Sequence, residues 1–408
     1  MKATVSSALG RRQPTLGAVV RVVATLGVAA IGVFTGCAVN HRPPATPATI
    51  SASGPGLAAS YRATIDSVID CLARRAVSRG DRTLDILLLS GGGQNGAYGA
   101  GFLRGWKSRT DAPMPQFDIV TGVSTGALQA PFAFIGNAAS IDTLSALYLR
   151  AAETIAPKID WFFWLRRTGG VVKTDRYRAT IRSVMDARMA DSMRAAFRAN
   201  RQFLVATTDF DLATGRVWDL ARELDTTAAS LTRVREIFYA STAIPGIFPP
   251  TTLDGHVHAD GGVISNALIP LTLADYRRLA DRLRARGVTE PVTVRVWMVF
   301  NLWTHMPAKV LNPSSRKDMN GRMSLLMLSA QNAQITEMLN VLEEAINTGI
   351  PGLRLEARYT AIPIALSNEP AASKLFDKGF MQRLETLGYE RARGAAPWDS
   401  TISAYARP

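Results

Sequence analysis

The stretch Gly122-Val123-Ser124-Thr125-Gly126 decides the fold class of this chain. The apolar segment Phe117-Asp118-Ile119-Val120-Thr121 precedes it and predicts a buried strand, and Ala127-Leu128-Gln129-Ala130-Pro131-Phe132 follows it as a predicted helix start. A strand, the pattern G-x-S-x-G and a helix in this order are typical of a nucleophile elbow. The serine then sits on a strained turn, and side chains in place of Gly122 and Gly126 would clash with the flanking strand and helix. Taken alone, the pattern also fits an incidental serine in a glycine-containing loop.

A glycine-rich loop lies about thirty residues upstream. The predicted strand Leu84–Ser90 runs into Gly91-Gly92-Gly93-Gln94-Asn95-Gly96 and then into small residues that open a helix. Such a loop presents backbone N–H groups and the positive end of a helix, which can hold a phosphate or an oxyanion. The spacing of Gly91, Gly93 and Gly96 also fits a dinucleotide-binding loop. That motif needs an acidic residue at the end of the next strand, whereas Asp118 opens that strand.

A third pattern is Asp260-Gly261-Gly262, which follows Gly255-His256-Val257-His258-Ala259. The alternation predicts a strand that delivers an aspartate onto a tight glycine turn. An ordinary surface turn is the alternative, because Asp-Gly is common in turns.

Together and in this order, the three patterns resemble those of the patatin-like phospholipase family. The resemblance spans residues 84–275 and includes the segment from Ala240 to Pro250. It implies a three-layer α/β/α sandwich with a mostly parallel central sheet. It also implies a lipid acyl hydrolase that uses a Ser–Asp dyad and no histidine. In that case Ser124 is the nucleophile, Asp260 is the proton acceptor, and the oxyanion hole is formed by Gly91, Gly92, Gly93 and Gly96.

The expected reaction is hydrolysis of a phospholipid or another lipid ester through an acyl-enzyme. A buried aspartate can serve as the base, because burial raises its basicity. The backbone N–H groups around Gly92 and Gly93 are the expected oxyanion donors. No cofactor is expected. The pair Asp209 and Asp211 lacks the glutamate of a calcium-binding loop, so a hairpin turn at Thr214-Gly215 is favoured and no metal ligands are predicted.

Two other functions fit the residues. The first is an α/β-hydrolase with a Ser–Asp–His triad, since Ser124, Asp260 and His305 occur in the chain order of that fold. The second is a lipoprotein that binds a lipid or a nucleotide without catalysis. Reaction of Ser124 with an acylating probe distinguishes the second from an enzyme.

The first 36 residues have the features of a signal peptide. A basic region precedes thirteen apolar residues, Val22 to Phe34, and these lead into Phe34-Thr35-Gly36-Cys37, which resembles a bacterial lipoprotein cleavage site. The predicted organisation is a signal peptide over 1–36, a lipidated Cys37 with a flexible tether over 37–60, a catalytic domain over 84–275, and an α/β extension over 276–408 packed on the same core. Ala38 after the cysteine favours the periplasmic side of the outer membrane. Acylation of Cys37 leaves Cys71 without a disulfide partner.

The charge of the chain favours a lipid surface as partner. The formal net charge is +14, and setting the four basic residues of the leader aside leaves 43 basic against 33 acidic residues, a net charge of +10. The basic residues are scattered and no nucleic-acid motif occurs, so an anionic membrane surface is predicted rather than nucleic acid. Two apolar segments allow either lipid contact or ordinary core packing: Trp161-Phe162-Phe163-Trp164 and the methionine-rich predicted helix from Arg322 to Asn347.

Overall fold

The strands of the protein form one large sheet and one small hairpin. The structure is a computed structural model that describes residues 45–154, 156, 158–160, 168–373 and 376–399. The strands, numbered in chain order, are β1 Thr83–Leu89, β2 Ile119–Val123, β3 Lys158–Ile159, β4 Val172–Lys173, β5 Gln202–Asp209, β6 Thr214–Asp219, β7 Thr251–Leu253, β8 His256–Asp260, β9 Val292–Val299 and β10 Leu353–Thr360.

The helices that flank the sheet are numbered in the same way. They are α1 Pro47–Arg79, α2 Gly96–Lys107, α3 Thr125–Ile135, α4 Ala138–Thr154, α5 Asp175–Val184, α6 Ala187–Arg198, α7 Leu220–Glu223, α8 Ala228–Thr242, α9 Leu273–Ala285, α10 Arg316–Gly349 and α11 Lys378–Arg393.

The sheet is mostly parallel. Its neighbouring strands follow the order β10, β9, β1, β2, β5, and each pair in this series is parallel. Strands β6, β7 and β8 join by antiparallel pairing beside β5. Because β9 and β10 extend the sheet on the far side of β1, residues beyond 276 share the sheet of the preceding domain.

Helices cover both faces of the sheet, which explains why apolar residues of its central strands point to both faces. In β1, Leu87 and Leu89 belong to one hydrophobic cluster, which includes side chains of α2, α3, α8 and α11. The alternate residues Ile86 and Leu88 belong to a second cluster with α1, α9 and α10. The predicted three-layer α/β/α fold is thereby confirmed.

Strand β5 brings two distant segments together. Residues 204–206 of β5 pair with β2 on one edge and β6 on the other, and residues 207–209 pair with β6 and β8. Since a strand has two edges, β2 and β8 lie end to end along the same edge of β5. Val123 at the end of β2 is opposite Ala206, and Asp260 at the end of β8 is opposite the next residue, Thr207. The residues at the two strand ends therefore meet.

The predicted tether over 37–60 is wrong for residues 47–60, which are the first turns of α1. Thr46 begins this helix with a reciprocal capping box to Thr49, and Pro47 follows at the first helical position, where it is well tolerated. A contact with the sheet also holds this part of the helix, because Ser53 Oγ lies 3.0 Å from His256 Nε2. The composition is that of a linker, but the cap and this long-range contact favour a helix.

Some predicted features lie outside the described residues: the signal peptide, Cys37, and the aromatic segment Trp161–Trp164. Within the described ranges, no helix is both long enough and apolar enough to cross a membrane.

Candidate active site

The turn that carries Ser124 has the strained geometry of a nucleophile elbow. Ser124 lies between β2 and α3 with a φ of 53°, a left-handed value that is uncommon for any residue except glycine. The turn presses against β1, since a Cβ on Gly126 would lie 2.2 Å from the carbonyl oxygen of Leu89. The backbone is fixed by Ser241 Oγ, which accepts a hydrogen bond from the Ser124 N–H at 3.1 Å and donates one to Ala206 at 2.7 Å.

Asp260 faces the elbow from the end of β8. Ser124 Oγ donates a hydrogen bond of 2.6 Å to Asp260 Oδ2, and the Gly262 N–H donates one of 2.8 Å to Asp260 Oδ1. Both side chains are buried, with 6% of the surface of each residue exposed. The short glycine turn at Gly261–Val263 therefore holds the carboxylate against the serine hydroxyl.

Burial makes the Asp260 carboxylate more basic than an ordinary aspartate. Loss of water around the charged form raises the pKa of Asp260 to about 6, and the hydrogen bonds from Ser124 and Gly262 act in the opposite direction. At neutral pH the carboxylate is mostly ionised and can accept a proton from a hydrogen-bonded hydroxyl.

The glycine-rich loop follows β1 and differs from the prediction at two of its four glycines. The Gly91 N–H donates to the carbonyl oxygen of Asn266 at 2.9 Å, and the Gly96 N–H points back to carbonyl oxygens of the loop itself. These two amides are therefore unavailable to an oxyanion. Within the described part of the chain, the N–H groups of Gly92 and Gly93 have no hydrogen-bond partner, and Gly93 borders the same pocket as Ser124.

A buried amide network that the sequence analysis missed supports this loop. Asn301 Nδ2 donates to the carbonyl oxygen of Ser90 at 2.7 Å and to Gln129 Oε1 at 2.9 Å, while Gln129 Nε2 donates to the carbonyl oxygen of Gly96 at 2.7 Å. Both amide side chains are fully buried. The signal in the sequence is one glutamine in a helix of small and apolar residues, and one asparagine directly after an apolar strand.

An apolar pocket opens beside Ser124. The empty space in and in front of the pocket, open solvent included, amounts to about 780 Å³. Every described residue that lines it is hydrophobic, a glycine or a hydroxyl-bearing residue. Its hydrophobic lining includes Leu128, Leu144, Leu147, Ile181, Phe248 and Phe376. A charged group would lose its hydration in this pocket without gaining a partner, whereas an acyl chain would bury apolar surface.

The three described histidines bond elsewhere. His258 Nδ1 lies 3.0 Å from Thr207 Oγ1, and burial lowers the pKa of His258 to about 4. His256 contacts Ser53 and Asp209, and His305 Nδ1 lies 3.2 Å from Thr304 Oγ1. None of these histidines forms a hydrogen bond with Ser124 or Asp260 in the described ranges. The geometry of a Ser–Asp–His triad is therefore not present among them.

A possible cation site lies apart from this pair, where the sequence analysis predicted no metal ligands. Carboxylate oxygens of Asp209 and Asp211 and a ring nitrogen of His256 all lie within 4.8 Å of one another. The sequence does not reveal this cluster, because His256 follows the two aspartates by more than forty residues and only the pairing of β5 with β8 unites them.

The fold and this site define an α/β protein in which a serine on a strained turn is paired with a buried carboxylate. Residues 87–275 match the family model described as patatin-like phospholipase. This part of the chain belongs to the patatin-like phospholipase family, as the three sequence patterns predicted.

A search of curated proteins found no match. Among solved structures, the crystal structure of VipD from Legionella pneumophila matches with 12% sequence identity and a TM-score of 0.32, over 76% of this chain and 66% of the VipD chain. The match spans slightly less than two thirds of the length of VipD, and a TM-score this low supports no inference.

Proposed function

We propose that this protein is a lipid acyl hydrolase that cleaves carboxylic esters through a Ser124–Asp260 dyad. The family of residues 87–275 supports lipid ester hydrolysis in general terms. The observation that carries the specific proposal is the 2.6 Å hydrogen bond from Ser124 Oγ to Asp260 Oδ2 beside an apolar pocket. A nucleophile within hydrogen-bond reach of a base is the arrangement that activates a hydroxyl.

In the proposed mechanism, Asp260 takes the hydroxyl proton as Ser124 Oγ attacks the ester carbonyl carbon. The carbonyl oxygen becomes an oxyanion, and the N–H groups of Gly92 and Gly93 stabilise it. As the tetrahedral intermediate collapses, the C–O bond to the leaving alcohol breaks and Asp260 gives its proton to that alcohol. Water then attacks the acyl-serine, Asp260 accepts a proton from it, and the proton returns to Ser124 when the fatty acid leaves.

The substrate is proposed to place an acyl chain in the pocket and its head group outside. The uncharged lining supports this orientation, because a phosphate group inside would have no counter-charge. A phospholipase A or lysophospholipase activity fits this arrangement, since both cleave an ester between an apolar chain and a polar remainder.

A membrane surface is the proposed source of that substrate. The exposed side chains of α10 include Met319, Met323, Leu326 and Met327, which are between 44% and 59% exposed and share one side of the helix. Five residues further on, about 8 Å along the axis, Asn332 Oδ1 accepts a hydrogen bond from Asn266, whose carbonyl oxygen binds the Gly91 N–H. This part of α10 thus lies near the glycine-rich loop, with the apolar side chains on its solvent-exposed side, and methionine adapts well to an irregular apolar surface.

The location is also a proposal. The pattern that ends in Gly36-Cys37 supports acylation of Cys37, and Ala38 supports attachment to the outer membrane on the periplasmic side. Mass spectrometry of the mature amino terminus tests this. A diacylglyceryl group on Cys37 would support the proposal, and an unmodified cysteine or a retained leader would refute it.

Hydrolysis of a panel of lipid esters, measured side by side for the wild-type protein and Ser124→Ala, tests the activity. We expect the wild type to release free fatty acid and Ser124→Ala to release none. A fluorophosphonate probe should label the wild type and not the variant. If the probe leaves Ser124 unlabelled and no lipid of the panel is cleaved, the proposal of catalysis fails.

A further inference from the structure

A second cluster of chemically active side chains lies where β5 meets β8, at the ends remote from the Ser124–Asp260 pair. Asp209 is the last residue of β5, Asp211 lies in the turn to β6, and His256 is the first residue of β8. His256 precedes Asp260 by four residues, about 13 Å along an extended strand. The cluster is therefore separate from the proposed catalytic residues.

Asp209 and His256 are buried side by side, and their nearest atoms form no hydrogen bond with each other. Asp209 is fully buried and His256 is 5% exposed. Asp209 Oδ2 and His256 Nδ1 lie 2.8 Å apart, yet neither atom forms a hydrogen bond in the described part of the chain, so the two atoms are close but poorly aligned. The other oxygen, Asp209 Oδ1, accepts the N–H groups of Asp211 and Leu212 at 3.0 Å. These bonds fix the carboxylate with Oδ2 towards the histidine.

The hydrogen bonds of Ser53 identify the tautomer of His256. Ser53 Oγ donates its only hydrogen to the carbonyl oxygen of Ile50 at 2.6 Å. While that bond is made, Ser53 Oγ can only accept from His256 Nε2, 3.0 Å away, and this arrangement puts the ring proton on Nε2. In the neutral ring, Nδ1 then has a lone pair that faces the carboxylate oxygen. Two lone pairs at 2.8 Å repel each other unless a cation lies against both.

We propose that Asp209, Asp211 and His256 bind one divalent transition-metal ion, with Zn²⁺ as the best-matched ion. Bond lengths of about 2.0 to 2.2 Å to zinc place neighbouring ligand atoms of a tetrahedral site about 3.3 to 3.6 Å apart. The 2.8 Å contact therefore lengthens by about half an ångström when the ion enters. Asp211 offers the third ligand from the turn. Ser53 fixes the ring from behind, as groups beyond the metal ligands commonly do for a ligating histidine.

The ligand set selects the kind of ion. Imidazole with carboxylates suits Zn²⁺ and similar transition metals, whereas Ca²⁺ takes six to eight oxygen ligands. The alternative to a metal ion between His256 Nδ1 and Asp209 Oδ2 is a proton on Nδ1. The two residues then form a buried ion pair between imidazolium and carboxylate. Among the described residues, His256 is the sole ion-pair partner of Asp209. The choice is therefore between a metal ion and a proton.

Zinc titration of the untagged protein, after removal of metals with a chelator, tests the proposal. Calorimetry should give one Zn²⁺ per chain, and the thermal midpoint should rise with zinc concentration, because an ion that binds the folded state stabilises it. Ca²⁺ at the same concentration should give no binding heat. Absence of stoichiometric Zn²⁺ binding to the folded wild type would overturn the proposal in favour of the proton.

Three variants locate the site. His256→Gln and Asp211→Asn should each weaken zinc binding by at least about tenfold, which is about 1.4 kcal/mol. Asp211→Asn protects the test against misfolding, because asparagine can still accept the Val257 N–H that Asp211 Oδ2 accepts at 2.7 Å. His305→Gln is the matched control and should bind zinc like the wild type. Equal affinity in all three variants would place the zinc elsewhere and refute the assignment.

Discussion

Ser124 Oγ and Asp260 Oδ2 lie 2.6 Å apart, although 136 residues separate them in the chain. If this pair is the catalytic dyad, Asp260→Asn keeps the size of the side chain but removes the proton acceptor. We expect Asp260→Asn and Ser124→Ala each to lose about 10⁴-fold or more of kcat, and the double variant to be little worse, because the two residues act as one unit.

Histidine variants distinguish the dyad from a Ser–Asp–His triad. In a triad, removal of the histidine costs about as much as removal of the serine. We expect His305→Ala, and a form with His256 and His258 both changed to glutamine, to keep activity within about tenfold, roughly 1.4 kcal/mol of barrier. Esterase assays with circular dichroism as the folding control decide this. A folded but inactive His305→Ala protein would favour the triad.

The raised pKa of Asp260 predicts that activity and stability change in opposite directions with pH. The base must be ionised, so kcat/KM should fall about tenfold per unit below pH 6. The folded state binds the Asp260 proton more tightly than the unfolded state does. The stability that this proton confers is complete below about pH 4 and is lost as the pH rises through about 6.

The size of that stability change can be isolated with a variant. A shift from 3.8 to about 6 corresponds to about 2 kcal/mol between pH 4 and pH 8. Asp260→Asn lacks this titration, so its free energy of unfolding relative to the wild type should rise by up to this amount over that range. Denaturant unfolding of both proteins at the two pH values measures the difference. A difference that does not change with pH would contradict the raised pKa.

Neighbouring glycines of the loop should respond differently to alanine. At Gly93, a Cβ meets no atom within 4 Å, but φ is 57°, so Gly93→Ala should fold at a cost of about 1 kcal/mol. We expect it to turn over at least about tenfold more slowly, because the strained backbone shifts the N–H that is the proposed oxyanion donor. At Gly92, a Cβ would lie 1.9 Å from the Asn301 carbonyl oxygen, so Gly92→Ala should displace the whole loop. Normal turnover by folded Gly93→Ala would exclude this loop as the oxyanion site.

The pocket predicts a preference for acyl chain length. Leu147 lines the pocket and is half-buried, so Leu147→Phe should reduce the space for a chain without displacing the core. We expect kcat/KM to fall about tenfold for palmitoyl esters and little for butyryl esters. Leu231→Phe is the control, since Leu231 is also half-buried but does not line the pocket. Equal losses for both ester lengths would place the acyl chain elsewhere.

The apolar side of α10 predicts a dependence on the lipid surface. Met323→Glu combined with Met327→Glu should weaken binding to phospholipid vesicles and slow vesicle hydrolysis, because charged side chains resist burial in lipid. Hydrolysis of a soluble butyryl ester should be unchanged. Val77→Glu is the matched control, because Val77 on α1 is 52% exposed, close to the 56% of Met323. Vesicle binding that is unchanged in the double variant would assign membrane contact to another surface.

Local patterns predicted the fold and much of the candidate site, since the elbow, the loop and the Asp260 turn are each set by residues adjacent in sequence. The missed features depend on partners far along the chain. Gly91 was predicted as an oxyanion donor, but its N–H is used by Asn266, 175 residues away. The sequence alone cannot show which amides such a partner removes. The prediction of a tether over residues 47–60 was wrong for a similar reason, because Ser53 contacts a histidine on β8, far along the chain.

Because β2 and β8 lie end to end along β5, the length of β5 sets the distance between the serine and the aspartate. The two residues owe their spacing to consecutive positions on β5, Ala206 and Thr207. One residue inserted between these positions would move the strand ends apart by about 3.3 Å, more than a hydrogen bond tolerates, and would turn the following side chains to the opposite face. Neighbouring side chains can repack around a substitution within β5, but repacking cannot restore the spacing of the two strand ends after a change in the length of β5. We therefore expect length polymorphism among natural variants of this chain to be confined to its loops.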